Sequence, residues 1–146
     1  MVRCYLSYAP GAVCGDHVYI LSTRGYRGKS VYARSVSVLI QSCSSRFTAG
    51  LWNRVAEPPV RDTTFVSIHG RLLTIGGKDS NVEPITAIHM YNPTTNSWEV
   101  INHMKTPRWD CIAAVLPNNQ LIVVGGKTGR DHYTKTDSVE FATIKL

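Results

Sequence analysis

No stretch of this sequence approaches the ~20 consecutive apolar residues that a membrane-spanning helix requires. A helical anchor is therefore not among the readings to be weighed. The first ten residues, Met1 to Pro10, hold one arginine and no apolar segment of signal-peptide length. Helix signals are missing too: no window joins apolar spacing at i, i+3, i+4 and i+7 to capping residues. Cysteine is sparse, with four residues, Cys4, Cys14, Cys43 and Cys111. None forms a C-x-x-C pair, and the spacing fits no common zinc pattern. The expectation is free, buried thiols in a reducing compartment rather than a disulfide framework. No N-x-S/T acceptor occurs, because Asn92 is followed by Pro93 and Asn96-Ser97 by Trp98. These absences lead to the expectation of a soluble, cytoplasmic chain.

A hydrophobic fraction of 43% and a charged fraction of 18% fit a folded domain rather than disorder. The formal charge is +6 and is unevenly placed. Residues 1–54 hold seven Lys/Arg and one acid, Asp16, whereas residues 55–146 hold nine of each sign. The basic residues between Arg24 and Arg34 stand in Gly/Ser/Tyr-rich sequence, which reads as a loop. Such a loop is either simply solvated or attracted to acidic surfaces and polyanions.

The strongest signal is internal repetition. Arg71-Leu72-Leu73-Thr74-Ile75-Gly76-Gly77 and Gln120-Leu121-Ile122-Val123-Val124-Gly125-Gly126 are β-prone runs that both end in Gly-Gly. Each follows a turn, His69-Gly70 or Pro117-Asn118-Asn119, and each turn follows another apolar run. Two short apolar runs around a turn predict a β-hairpin. Their near-continuous apolar character predicts strands covered on both faces. In the middle unit the strands fall at about 63–68, 71–75, 87–91 and 97–101, with Asn92-Pro93-Thr94-Thr95-Asn96 as a turn. A degraded copy runs from Gly11 through His17–Leu21, with Ser22-Thr23 where Gly-Gly would stand, and Tyr32–Gln41 reads as a further strand. Trp52 and Trp98 mark the far end of the first two units. Units of this length with four short strands each are propeller arithmetic.

Gly76-Gly77, then Tyr91, then Trp98 has the order and spacing of a kelch repeat. A partial copy keeps Gly125-Gly126, with Phe141 in the place of the strand-three aromatic. The resemblance covers residues 9–146 and is strongest from residue 57. It implies an all-β, partial kelch β-propeller of about three four-stranded antiparallel blades, the last incomplete. The expected units are a degenerate blade at 1–58, a blade at 59–106 and an incomplete blade at 107–146. A tryptophan matching Trp98 would fall beyond Leu146, so the outermost strand of the third unit is expected to be missing. Three blades do not close in the usual way. The arithmetic expects a piece of a longer ring, self-association to complete one, or an open array.

Chemistry is thinly represented. His17, His69, His89, His103 and His132 show no metal-site spacing, no G-x-S-x-G elbow or S-x-x-K occurs, and Gly125–Gly129 lacks phosphate-loop spacing. No catalytic residue, metal or cofactor is therefore expected. In chains that this one resembles, ligands dock on the loops after Gly-Gly and on the linkers between blades. That implies partner-binding roles for Lys78, Asp79, Ser80, Asn81, Lys127 and Arg130, and for Arg61, Arg108 and Trp109 in the linkers. Arg61 and Arg108 either capture carboxylate-bearing peptides or tie neighbouring blades together. Trp109 is either an exposed anchor or buried between blades. The implied function is a non-catalytic protein-interaction module, resembling the substrate-recognition propeller of kelch-like adaptors of cullin-RING ubiquitin ligases, or actin-binding kelch proteins. An oxidase or sugar-isomerising kelch enzyme stands as the alternative. Polyanion binding through residues 1–54 comes third, since no stacking platform accompanies the charge and nucleic acid is not the expected partner.

Overall fold

The computed structural model describes residues 11–14, 17–23, 29–35 and 53–145. Eleven strands follow one another in the described chain: β1 (Gly11–Cys14), β2 (His17–Thr23), β3 (Lys29–Ser35), β4 (Asn53–Val55), β5 (Thr64–Ile68), β6 (Arg71–Ile75), β7 (Ala87–Asn92), β8 (Ser97–His103), β9 (Ile112–Leu116), β10 (Gln120–Val124) and β11 (Val139–Thr143). They form three antiparallel sheets, β1-β2-β3-β4, β5-β6-β7-β8 and β9-β10-β11, each in simple meander order. The first strands of consecutive sheets are neighbours, β1 beside β5 and β5 beside β9. Sheets that fan out from adjacent first strands are the blades of a propeller arc.

Local chemistry explains the strands. β5 and β6 are nearly continuous apolar runs and are buried on both faces, as expected for strands enclosed by a sheet on either side. Their hairpin turns on His69 and Gly70, both at positive φ, the geometry that matches the twist of the flanking strands. In the third blade Pro117–Asn119 makes a short 3-10 turn, with Asn118 and Asn119 at positive φ.

Two apolar layers hold the blades together. Between the first and second blades, Cys14 and Tyr19 meet Phe65, Leu72 and Tyr91, with Ala12 and Trp98 at the margin. Trp98 stacks on Phe65 and tilts against Tyr91, and Tyr19 meets Tyr91 edge-on at 5.9 Å. The polar tips of both large rings are satisfied: Tyr91 Oη donates to Asn96 Oδ1, and Trp98 Nε1 donates to the Ala56 carbonyl, each at 2.8 Å. Between the second and third blades, Val66, Leu73, Ile75 and Ile88 face Cys111, Leu121, Val123 and Ile144.

Gly76 and Gly77 do what the repeat requires. Both sit at positive φ, and a Cβ on Gly76 would run into the Arg108 carbonyl, one on Gly77 into the Arg61 carbonyl at 2.6 Å. The glycine pair is thus pressed between two linkers, the one that enters the next blade against Gly76 and the one that enters its own blade against Gly77.

Three expectations are corrected. The basic stretch around Lys29–Arg34 is not a loop: it lies in β3, paired with β2 along Thr23↔Lys29 to His17↔Ser35. Backbone pairing there outweighs the charge and the small residues. The expected strand at Tyr32–Gln41 therefore begins earlier, and residues 36–41 lie outside the described residues, as does Trp52. Phe141 does not take the place of Tyr91. Ile75 pairs with Ile88, whereas Val124 pairs with Val139, so the loop of the third blade is two residues longer. In this register Phe141 corresponds to Met90 and Ala142 to Tyr91. A one-residue difference moves a side chain to the other sheet face, and Phe141 is accordingly 63% exposed.

Candidate partner-binding loops

At the end of the second and third blades the chain repeats one construction. The linker, the residue after Gly-Gly and the end of the following loop pair as short bridges: Arg61 with Lys78 and Lys78 with Pro84, then Trp109 with Lys127 and Lys127 with Lys135. Asp62 and Asp110 each follow the linker residue and both sit at positive φ, 54° and 53°. Position for position, Arg61 therefore corresponds to Trp109 and Val60 to Arg108. The sequence-based pairing of Arg61 with Arg108 is off by one residue.

Arg108 resolves in favour of tying blades. Its side chain is fully enclosed. One terminal nitrogen donates to the Gly125 and Ser138 carbonyls, each at 2.9 Å. The other donates to Ser138 Oγ at 2.8 Å and to Glu140 at 2.7 Å. Glu140 in turn accepts from the backbone N–H groups of Lys105 and Thr106. Burial pushes the Glu140 carboxyl up, but these donors outweigh it and hold it below the usual carboxylate range. The guanidinium fork thus locks the linker to the end of the third blade, and its role is not surface capture of a ligand.

Trp109 is also buried rather than exposed. Its Nε1 donates to the Gly129 carbonyl at 2.8 Å, and His132 meets the ring edge-on at 5.1 Å. Lys78, itself buried, places Nζ 3.4 Å from the centre of the ring, and Lys127 Nζ lies 4.6 Å away. Ammonium groups this close to an indole are attracted by its negative face. Lys78 Nζ also reaches the Arg130 carbonyl, Lys127 pairs with Asp110 at 2.8 Å, and Arg130 pairs with Glu83. Trp109 is therefore the post around which the two loops are braced.

Each loop is further pinned by an aspartate. Asp79 Oδ1 accepts from the N–H groups of Asn81 and Glu83, at 2.8 and 3.0 Å. Asp131 accepts from the N–H groups of Tyr133 and Thr134, each at 2.7 Å, and from the Thr134 hydroxyl. Those bonds hold the Asp131 carboxyl below its ordinary range. The result is a rigid display of Ser80, Asn81, Val82, Arg130 and Tyr133, all exposed, with Tyr133 at 90%. Tyr133 was missed by sequence reasoning, although an aromatic within Asp131-His132-Tyr133-Thr134 is a legible signal for a loop-tip anchor. Of the residues expected here, Lys78, Lys127, Arg130, Asp79, Ser80 and Asn81 come together with Trp109. Arg61 is half-buried beside Lys78.

Residues 59–105 match the family model described as Kelch motif. An F-box/kelch-repeat protein of Arabidopsis thaliana is 30% identical over 79 residues, covering 53% of this chain and 21% of the relative. Kelch-like protein 41a of Danio rerio is 27% identical over 96 residues, covering 64% of this chain and 16% of the relative. The chain thus spans about a fifth and about a sixth of the length of these two curated relatives.

Proposed function

This chain belongs to the kelch-repeat proteins, and on that footing we propose that the loops braced on Trp109 are the partner-binding face of a non-catalytic interaction module. The observation that carries the reading is the pairing of rigid support with exposed contact groups. Buried Trp109, Lys78 and the two aspartates fix the loops, while Tyr133, Asn81, Val82 and Arg130 are exposed to solvent. Pre-organised loops lose little entropy when a partner docks. Tyrosine and arginine are the residue types that carry most binding energy at such surfaces.

The preferred ligand is a peptide with a carboxylate beside an apolar residue, the carboxylate going to Arg130 and the apolar group to Tyr133 and Val82. One similar protein bears F-box as well as kelch in its name. In the whole protein, the function we propose is therefore substrate recognition for a ubiquitin-ligase adaptor, ahead of actin binding. Peptide display on the purified chain tests the reading. Recovered peptides lose affinity at least tenfold against Tyr133→Ala or Arg130→Ala, and keep it against Glu99→Ala on β8. Equal affinity for all three variants contradicts the proposal.

A further inference from the structure

We propose that Glu83 is a built-in competitor for the partner's carboxylate: it occupies Arg130 in the unbound chain, leaves when a partner docks, and so decides which acidic ligands the face accepts. The inference rests on the loop-face reading. That reading places a ligand carboxylate on Arg130, yet Arg130 already pairs with Glu83 across the two loops. Lys78 and Lys127 offer no substitute. Lys78 is buried over Trp109, and Lys127 is engaged by Asp110. An arriving carboxylate therefore exchanges one acid for another on the same guanidinium.

Such an exchange requires that the loops hold their shape without the pair, and their internal bonds provide for that. In the loop of the second blade, Asp79 Oδ1 accepts from Asn81 and Glu83. The Asp79 N–H donates to the Glu83 carbonyl at 2.9 Å, and the Val82 N–H to the Asp79 carbonyl at 3.1 Å. In the loop of the third blade, Asp131 accepts from Tyr133 and Thr134, and the Thr128 N–H donates to the Thr134 carbonyl at 3.0 Å. Lys78 joins the two loops from beneath, against the Trp109 ring and the Arg130 carbonyl. The ion pair lies above this scaffold, with 66% of the Arg130 side chain and 44% of the Glu83 side chain exposed. Pairs so exposed contribute little to stability and open readily. The backbone at both residues is fixed, while their charged ends are exchangeable. Ser80, Asn81 and Val82 stay exposed although a blade follows theirs, so a loop tip in this place is not covered by the next repeat.

Two consequences follow for the ligand. A carboxylate alone gains nothing at Arg130 that Glu83 does not already supply, and Glu83 has the advantage of being tethered. The ligand must add an apolar contact with Tyr133 and Val82, so Glu83 makes the face reject acids that lack an apolar neighbour. Docking also replaces one ion pair by another, which leaves affinity nearly independent of salt. Without Glu83 the pair is formed anew, and salt weakens it.

The test selects one random-peptide phage library against the wild-type chain and against Glu83→Gln, with circular dichroism to check the fold. Affinities of the recovered acidic peptides are then measured at low salt and at about 1 M, where charges are screened beyond ~3 Å. Glu83→Gln is expected to bind them about two- to fivefold more tightly, the contribution of an exposed pair. The gain is expected to vanish at high salt. It is also expected to be absent when Arg130→Ala is compared with Arg130→Ala/Glu83→Gln, because Glu83 competes only through Arg130. Equal or weaker binding by Glu83→Gln overturns the proposal, weaker binding being the mark of a pair that braces the loops. A gain that survives Arg130→Ala or high salt overturns it too, as does an unfolded Glu83→Gln. Each of these results leaves the loop-face reading intact. A library from which neither chain recovers a peptide overturns that reading, and this inference with it.

Discussion

Replacing Arg108 by alanine is the perturbation with the best-defined consequence. The side chain is fully enclosed and makes four hydrogen bonds, one of them an ion pair with Glu140. Alanine leaves the partly buried Glu140 carboxylate without its cation and leaves the Gly125 and Ser138 carbonyls without their side-chain donor. Breaking a buried ion pair by removing one partner costs about 3–5 kcal/mol. That is a large part of the ~5–15 kcal/mol by which ordinary domains are stable. Urea unfolding of the chain should show the midpoint falling by a matching amount, with the slope unchanged. Arg108→Lys should recover only part of the loss, because a single ammonium cannot fork between Glu140 and two carbonyls. Glu140→Gln should cost less than Arg108→Ala, since an amide oxygen in the place of Oε1 still accepts from Thr106 and Arg108 and only the bond from Lys105 is lost. The double variant Arg108→Ala/Glu140→Ala should be clearly less destabilised than the two single losses added, as expected for groups that pair. A loss under about 1 kcal/mol for Arg108→Ala, the range of an exposed pair, would refute the claim that this arginine locks the blades.

Gly76→Ala is expected to abolish or nearly abolish cooperative unfolding, because its Cβ strikes the Arg108 carbonyl. Gly125→Ala should cost only the strain of a left-handed residue, about 1–2 kcal/mol, by the same denaturation measurement. Val82 holds a β-branched side chain at φ 65°, so Val82→Gly should raise stability by up to about 1 kcal/mol despite added backbone entropy. Burial, with a smaller contribution from His103, holds His89 below the ordinary histidine range. Its stabilising effect is complete above the unfolded value near 6.5 and is lost as pH falls from there through the folded value. A pH series should therefore show stability declining below about pH 6.5, with the decline reduced in His89→Gln. Glu140 adds a second decline at lower pH, beginning near the unfolded carboxylate value of about 4.3.

Much of this fold was legible because its strands end where the chain says they end. The runs before Gly76-Gly77 and Gly125-Gly126 lie where β6 and β10 lie, and the turns at His69-Gly70 and Pro117–Asn119 join the expected hairpins. The misreadings share one cause, that residue type was matched where register decides. The loop after Gly126 is longer by two residues where matching Phe141 to Tyr91 assumes one, so Phe141 falls on the opposite face from Tyr91. One residue separates Arg61 from the true counterpart of Arg108, and the paired Asp62 and Asp110 would have shown it. At the site, the loops were identified but not their roles. Trp109 and Lys78 were candidates for contact and serve as support. Glu140 gave no signal, because its value depends on N–H groups 34 and 35 residues away in the chain.

Hydrogen exchange on the chain with and without a displayed peptide tests the central claim most directly. Slowed exchange is expected in 78–84 and 127–135 alone, with β8 unchanged. Protection along β8, or none in either loop, would contradict a partner-binding face built on Trp109.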